Sequence, residues 1–145
     1  MERAQQGPRP GGPAAAPAGG DVLAERYHLD EQLDVVGFAT TWRGRDAMLS
    51  RSVIVHVLDP RAPTTPEVLS AARRASVATD SRFLRVLDAL DEPIPFIVCE
   101  DSPGTRLREL LSYGALSGVE SAFVVREIAD ALSPMHARGI FHRRL

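Results

Sequence analysis

The chain has one cysteine, Cys99, among its 145 residues. No internal disulfide can form, and a reducing compartment is the expected setting. Cys99 sits in an apolar run, where a thiol acts as a small buried hydrophobe. No stretch approaches the roughly 18 apolar residues of a membrane span, so no membrane segment is expected. The N-terminus lacks the greasy central segment of a secretory leader, and a cytoplasmic location is expected. Neither sign of charge dominates. Seventeen basic side chains face 19 acidic ones, for a net charge of −2, so no attraction to nucleic acid or acidic membrane is implied. The four histidines, His28, His56, His136 and His142, do not have metal-ligand spacing, and no metal site is expected.

What remains is the makings of about one domain. The hydrophobic fraction is 44%, ordinary for a globular protein. Met1 to Gly20 is Pro, Gly and Ala with scattered polar groups, so residues 1–21 read as a disordered tail. Apolar patterning starts at Leu23. Tyr27 to Val36 reads as a strand, Gly37-Phe38-Ala39 as a turn, and Thr40 to Arg45 as a second strand. Ser52 to Leu58 is a β-branched apolar run that ends before Asp59-Pro60. Thr65-Pro66-Glu67 predicts a helix start, with Thr65 as cap, Pro66 in the first turn and Glu67 facing the positive dipole end. That helix should run to about Ala78, with Val68, Ala72 and Ala75 on one face. Phe83 to Leu90 and Pro95 to Cys99 predict two more strands, and Thr105 to Leu111 a short helix. Ser117-Gly118-Val119-Glu120 is a capping box. The helix after it should run to about Ala137, with Ala122, Val125, Ala129, Leu132 and His136 in one stripe. Pro134 falls in its last turns and Gly139 is a natural stop. The order of elements is α+β.

That order resembles the small lobe of a bacterial, actinobacterial-type serine/threonine protein kinase. The residues that carry the likeness are Leu23 through Tyr27 at the domain start, Arg45-Asp46 through Val53 between the second and third strands, and Arg85 through Asp88. They continue with Pro95 through Glu100, then Ala131-Leu132, His136-Ala137 and Gly139 through His142. The resemblance implies a five-stranded antiparallel sheet with one helix over 22–101. A hinge and the first two helices of a large lobe follow over 102–145, truncated at the catalytic loop. It also points to nucleotide-pocket positions at Leu33, Thr41, Ile54, Cys99, Glu100 and Ser102.

The departures fall where the chemistry belongs. The family's glycine-rich loop uses three glycines to let backbone amides approach ATP phosphates. Asp34, Val36 and Ala39 hold those places, and Gly37 is not one of the three. The strand motif Val-Ala-Ile-Lys reads Val53-Ile54-Val55-His56, so a histidine stands where the phosphate-pairing lysine is expected. Ile54 fills the place of an alanine beside adenine. The glutamate that holds the lysine maps near Ala71 or Ala72. His-Arg-Asp reads His142-Arg143-Arg144, and a guanidinium holds its proton and cannot act as base.

The resemblance therefore implies a catalytically impaired kinase-like domain used for binding or regulation, with no catalytic residue and with His56 and Arg144 as its degenerate positions. A protein partner is expected, and related actinobacterial domains suggest a link to cell-wall synthesis signalling. No cofactor is expected. ATP and magnesium enter only under the alternative, that the chain is part of an active serine/threonine kinase. A further alternative is a non-functional remnant. Phe123, Val124, Ile128 and Leu132 do not share one narrow face, so exposed apolar surface and self-association are expected.

Overall fold

The computed structural model describes residues 16–77 and 80–139. Six strands form one sheet: β1 (Val22–Leu23), β2 (Tyr27–Val36), β3 (Ala39–Asp46), β4 (Arg51–Leu58), β5 (Val86–Leu90) and β6 (Phe96–Glu100). They lie in the order β1-β2-β3-β4-β6-β5, and every neighbouring pair is antiparallel. Helix α1 (Thr65–Ala75) crosses between β4 and β5, and α2 (Leu107–Tyr113) and α3 (Gly118–Ala137) follow the sheet. The expected five-stranded sheet is present with one addition. The two-residue β1 pairs with β2 through Val22↔His28 and Leu23↔Tyr27. The hydrogen-bonded chain begins even earlier, since Gly20 N–H donates to the Leu29 carbonyl (2.7 Å) and Leu29 N–H to Asp21 (2.9 Å). The predicted tail boundary at residue 21 therefore lies inside this edge turn.

Two cores sit on the two faces of the sheet. Successive strand side chains point to opposite faces, and β4 shows the consequence. Val53, Val55 and Val57 join Leu23, Tyr27, Leu29, Trp42, Phe96 and Val98 in one cluster. Ile54 and Leu58 face the other way, with Leu69 and Ala72 of α1 and Ile97 and Cys99 of β6. Tyr27 anchors the first cluster. Its ring meets Phe96 edge-on at 5.9 Å, and its hydroxyl donates to Asp88 Oδ2 at 3.0 Å. Burial, then that hydrogen bond, push the phenol up to about 12.

Asp46 is the one fully buried carboxylate among the described residues. Arg26 grips it twice, Nε to Oδ1 and Nη2 to Oδ2, both 2.8 Å. The N–H groups of Met48 and Leu49 also donate to Oδ1. Arg51 Nε lies 3.5 Å from Oδ2 without hydrogen-bond alignment. The Arg26 hydrogen bonds hold the carboxyl down to about 2. The same guanidinium stacks 4.8 Å over the Tyr27 ring. This cluster ties the β1–β2 turn to the β3–β4 turn. On the exposed strand face Arg43 pairs with Glu31 and Asp101, and Arg45 with Asp30.

Several boundaries differ from expectation. Thr64, not Thr65, is the N-cap of α1 and makes no side-chain cap bond. The Thr65 hydroxyl donates instead to the Asp59 carbonyl at 2.7 Å, closing the preceding loop. The buried face of α1 is Thr65, Leu69 and Ala72, while Val68 and Ala75 are half-buried. The helix ends at Ala75, and Ala78 lies outside the described residues. The strand expected from Phe83 starts at Val86, because residues 80–83 turn on Asp80, whose carboxylate accepts from Arg82 N–H. Helix α2 is shifted two residues later and buries none of its side chains. The capping box of α3 is formed, with Glu120 N–H donating to Ser117 Oγ (3.2 Å) and Ser117 N–H to Glu120 Oε2 (2.8 Å). The predicted α3 stripe is a correction. Its buried residues are Ala131, Leu132 and Met135, and Val125 is 65% exposed. The small lobe touches the helix on a face offset from the sequence stripe. Phe123 at 61% exposed fits the expected open apolar surface, whereas Leu132 is buried.

Two tests follow from the packing. A Cβ on Gly44 would stand 2.2 Å from the His28 carbonyl oxygen, so Gly44→Ala should cost about 3 kcal/mol or more by denaturant unfolding, since backbone must move. Asp46 titrates below its ordinary value in the folded state, so its stabilisation is full above about pH 4 and lost as pH falls toward 2. Asp46→Ala should cost about 2–4 kcal/mol at pH 7 and flatten the acid limb of stability against pH. An unchanged acid limb would contradict this assignment.

Candidate functional site

The site is built on the α1 face of the sheet. Directly opposed residues on antiparallel strands share a face. The register pairs Asp34 with Thr41, Thr41 with His56, and His56 with Ile97. One row thus runs Asp34, Thr41, His56, Ile97 across four strands. A neighbouring row pairs Glu31 with Arg43, Arg43 with Ile54, and Ile54 with Cys99. Four residues expected at a nucleotide pocket, Thr41, Ile54, Cys99 and the degenerate His56, are therefore brought together. Glu100 ends β6, opposite Val53. Leu33 is half-buried beside the register shift between Gln32 and Asp34. Ser102 is exposed on the segment after β6. Arg144, with His142 and Arg143, lies outside the described residues.

His56 is half-buried, and its Nδ1 lies 3.0 Å from Thr41 Oγ1. The hydroxyl donates to a bare Nδ1 or accepts from Nδ1–H, so either neutral tautomer is satisfied. Burial pushes the imidazolium below its usual value, and the positive charge of Arg106 adds to that. The ring is neutral at pH 7. Asp34 takes part in its own turn, its Oδ1 accepting from Val35 N–H at 2.8 Å. Cys99 is buried, and burial followed by the Glu100 charge push its thiol up to about 11, which leaves it unreactive. Glu100 is spent on the sheet edge, where Oε1 accepts from Arg85 N–H at 3.0 Å.

At the hairpin tip, Gly37 takes φ 59°, a conformation open to glycine at little cost. Phe38 beside it packs toward the cluster of Leu58, Leu69 and Ile97. Its carbonyl accepts from Asp59 N–H at 2.8 Å, which holds the tip down on the end of β4. On α1, the two positions that align with a lysine-holding acid are Ala71, exposed, and Ala72, buried. Among the described residues no group of three His, Cys, Asp or Glu side chains converges as a metal site. No described helix is long and apolar enough to cross a membrane.

The chain contains no lysine, and all 17 of its basic residues are arginines. No lysine within this chain can take over the place that His56 holds.

The five antiparallel strands β2 to β6 with one crossing helix, followed by a short and a long helix, have the architecture of a protein-kinase small lobe continued into the large lobe. Comparison with known proteins agrees. The chain superposes on the kinase domain of PknI from Mycobacterium tuberculosis with a TM-score of 0.77 at 19% identity, over 90% of this chain and 56% of that one. It superposes on Rad53 in complex with AMP-PNP with a TM-score of 0.71 at 19% identity, over 83% and 33%. No protein-family model matches the chain. In sequence it is 31% identical over 130 residues to a probable serine/threonine-protein kinase of Clostridium acetobutylicum, spanning 86% of this chain and 20% of that protein. It is 29% identical over 132 residues to a probable serine/threonine-protein kinase PknB of Corynebacterium glutamicum, spanning 84% and 20%. With PknL of Mycobacterium tuberculosis it shares 30% over 128 residues, 84% and 32%. The chain is a kinase-like domain similar to bacterial serine/threonine protein kinases. It spans 20–32% of the length of these curated relatives.

The state of His56 is measurable. Its ring protons, followed by NMR against pH, should titrate with a midpoint below the ordinary value of about 6.5. The folded value lies below the unfolded one, so the neutral ring's contribution is full above that range and is lost as pH falls through it. Thr41→Val, which removes the hydroxyl partner, should move that midpoint. A midpoint at or above the ordinary value would overturn the neutral assignment.

Proposed function

We propose that this chain is a catalytically impaired kinase-like module that works by binding a protein partner. The observation that carries the reading is His56. A neutral imidazole, tied to Thr41 at 3.0 Å, stands on the strand where kinases place the lysine that pairs the ATP phosphates. Phosphoryl transfer rests almost wholly on positioning and charge stabilisation. The residues present do not fit a magnesium–polyphosphate group. Asp34 adds negative charge in the same row as His56, the roof is filled by Ile54, and Phe38 packs at the tip of the loop. The sequence supplies Arg144 where a catalytic aspartate is expected, and an arginine accepts no proton. No step of a transfer reaction is assigned to this chain.

The alternative, that the chain is part of an active serine/threonine kinase, has the names of its relatives in its favour. It requires a lysine and a carboxylate base from outside these 145 residues. The absence of any lysine in the chain weighs against it. Under the binding reading, the hinge backbone near Glu100 and Ser102 retains only a weak contact with adenine, since that contact needs no special side chain. A cytoplasmic site of action and a role in cell-wall signalling remain part of this proposal.

The test is phosphate transfer together with nucleotide binding by the purified chain. No magnesium-dependent incorporation of labelled phosphate into the chain or a generic basic protein is expected. Thermal stability should shift by less than about 1 °C with millimolar ATP and magnesium, because weak binding adds little by mass action. Incorporation above a mock preparation, abolished by His56→Ala, would sink the proposal.

A further inference from the structure

The cleft face of the sheet carries charge as well as the Thr41–His56 pair. Arg43 stands opposite Ile54 on that face, and Ile54 stands opposite Cys99. Ser52 shares the face, because it lies two residues from Ile54 on the same strand. Arg43 belongs to β3 and Asp101 follows β6, and β4 runs between those strands. The two side chains nevertheless meet, with Arg43 Nε 3.8 Å from Asp101 Oδ2. Ser52 Oγ donates to the same oxygen at 2.6 Å. On its other side Arg43 Nη1 donates to Glu31 Oε2 of β2. A line of contacts from Glu31 to Asp101 therefore passes over β4 at the level of Ser52 and Ile54.

This line crosses the place where a ring bound at the hinge would lie. Asp101 sits between Glu100 and Ser102, whose backbone is what remains for contact with adenine. Ile54 fills the position beside that ring. Asp101 is only 27% exposed, and its short bond from Ser52 keeps the carboxylate on the cleft face. The guanidinium and its two carboxylates hold water around them. A flat apolar ring offers no groups to replace those bonds, so its entry carries a desolvation cost.

We infer that Glu31, Arg43, Asp101 and Ser52 form an ionic clasp that closes the hinge end of the cleft against a purine ring, with Arg43 as the residue that decides entry. The inference rests on the binding reading above, in which the cleft no longer serves phosphate transfer. His56 removes the cation from the phosphate end, and the clasp shuts the base end. The two devices are separate, since Arg43 and His56 lie in different rows of the register. The Arg43–Glu31 link is exposed on both sides, and such pairs are weakened by salt.

Adenosine, which has no phosphate, probes the base end alone. It is titrated into the whole chain and followed through the NMR amide signals of residues 54 and 99–102. Arg43→Ala should bind adenosine roughly three- to tenfold tighter than the native chain, the range expected when exposed ion pairs are removed. Asp101→Asn should act in the same direction to a smaller extent. Both substitutions fall on the strand face or just past it, and both variants should melt within about 3 °C of the native chain. In about 1 M salt the native chain should approach the affinity of Arg43→Ala, whose own affinity should barely change. That arm depends on no variant. Equal affinity of native chain and Arg43→Ala, weaker binding by the variant, or no response to adenosine in either would overturn the clasp. Equal affinities without phosphate incorporation would leave the binding reading standing, whereas incorporation by the native chain sinks that reading whatever adenosine does.

Discussion

The alternation of β4 is the constraint on which the rest of this fold depends. Eight residues, Arg51–Leu58, lie between β3 and β6. Their odd-numbered valines build the core around Tyr27 and Phe96, and their even-numbered Ile54 and His56 face α1 and the candidate cleft. A slip of one residue would exchange the two sets. It would carry the imidazole into the valine cluster and turn Val53, Val55 and Val57 toward α1 and the cleft. Core and cleft are therefore specified together, and the identity of residue 56 is a choice made on a strand that packing already holds in register.

The charges of the chain do structural work in the places where they are strongest. The two best-formed ion pairs with bidentate geometry, Arg26–Asp46 and Arg82–Asp80, join turns and loops. Arg43 bridges Glu31 and Asp101 on the sheet face. The cleft, by contrast, has a neutral ring hydrogen-bonded to a hydroxyl and a carboxylate from β2. This distribution fits a scaffold whose electrostatics serve its shape. A chain with arginine as its sole basic residue besides histidine suits such use, because the planar fork binds carboxylates bidentately.

Much of the fold was legible locally. Tyr27–Val36 matched its predicted strand, and Ser117 with Glu120 formed the predicted box, because strand alternation and caps are written within a few residues of chain. The likeness to a kinase small lobe came from the collinear order of short pieces, and solved kinase domains bear it out. Other features were not legible. Asp46, in the connection between the second and third strands, is fully buried. Nothing near it in sequence reveals that Arg26, twenty residues earlier, will reach it. Thr65 read as a cap, but the carbonyl of Asp59 competes for its hydroxyl once the loop closes. The buried face of α3 differs from the expected stripe because hydrophobic residues surround much of the helix, and which of them is covered depends on tertiary contacts.

The sequence by itself determined which residues alternate, where the long helix α3 starts, and that the chain holds no lysine to pair with phosphate. These are properties of composition and near neighbours. The tertiary structure alone decided that His56 meets Thr41, that Asp34 shares their row, and that Arg43 reaches Asp101. Each of those contacts joins segments distant in the chain, and their geometry exists only after strand register and helix docking have been settled by burial of the two cores.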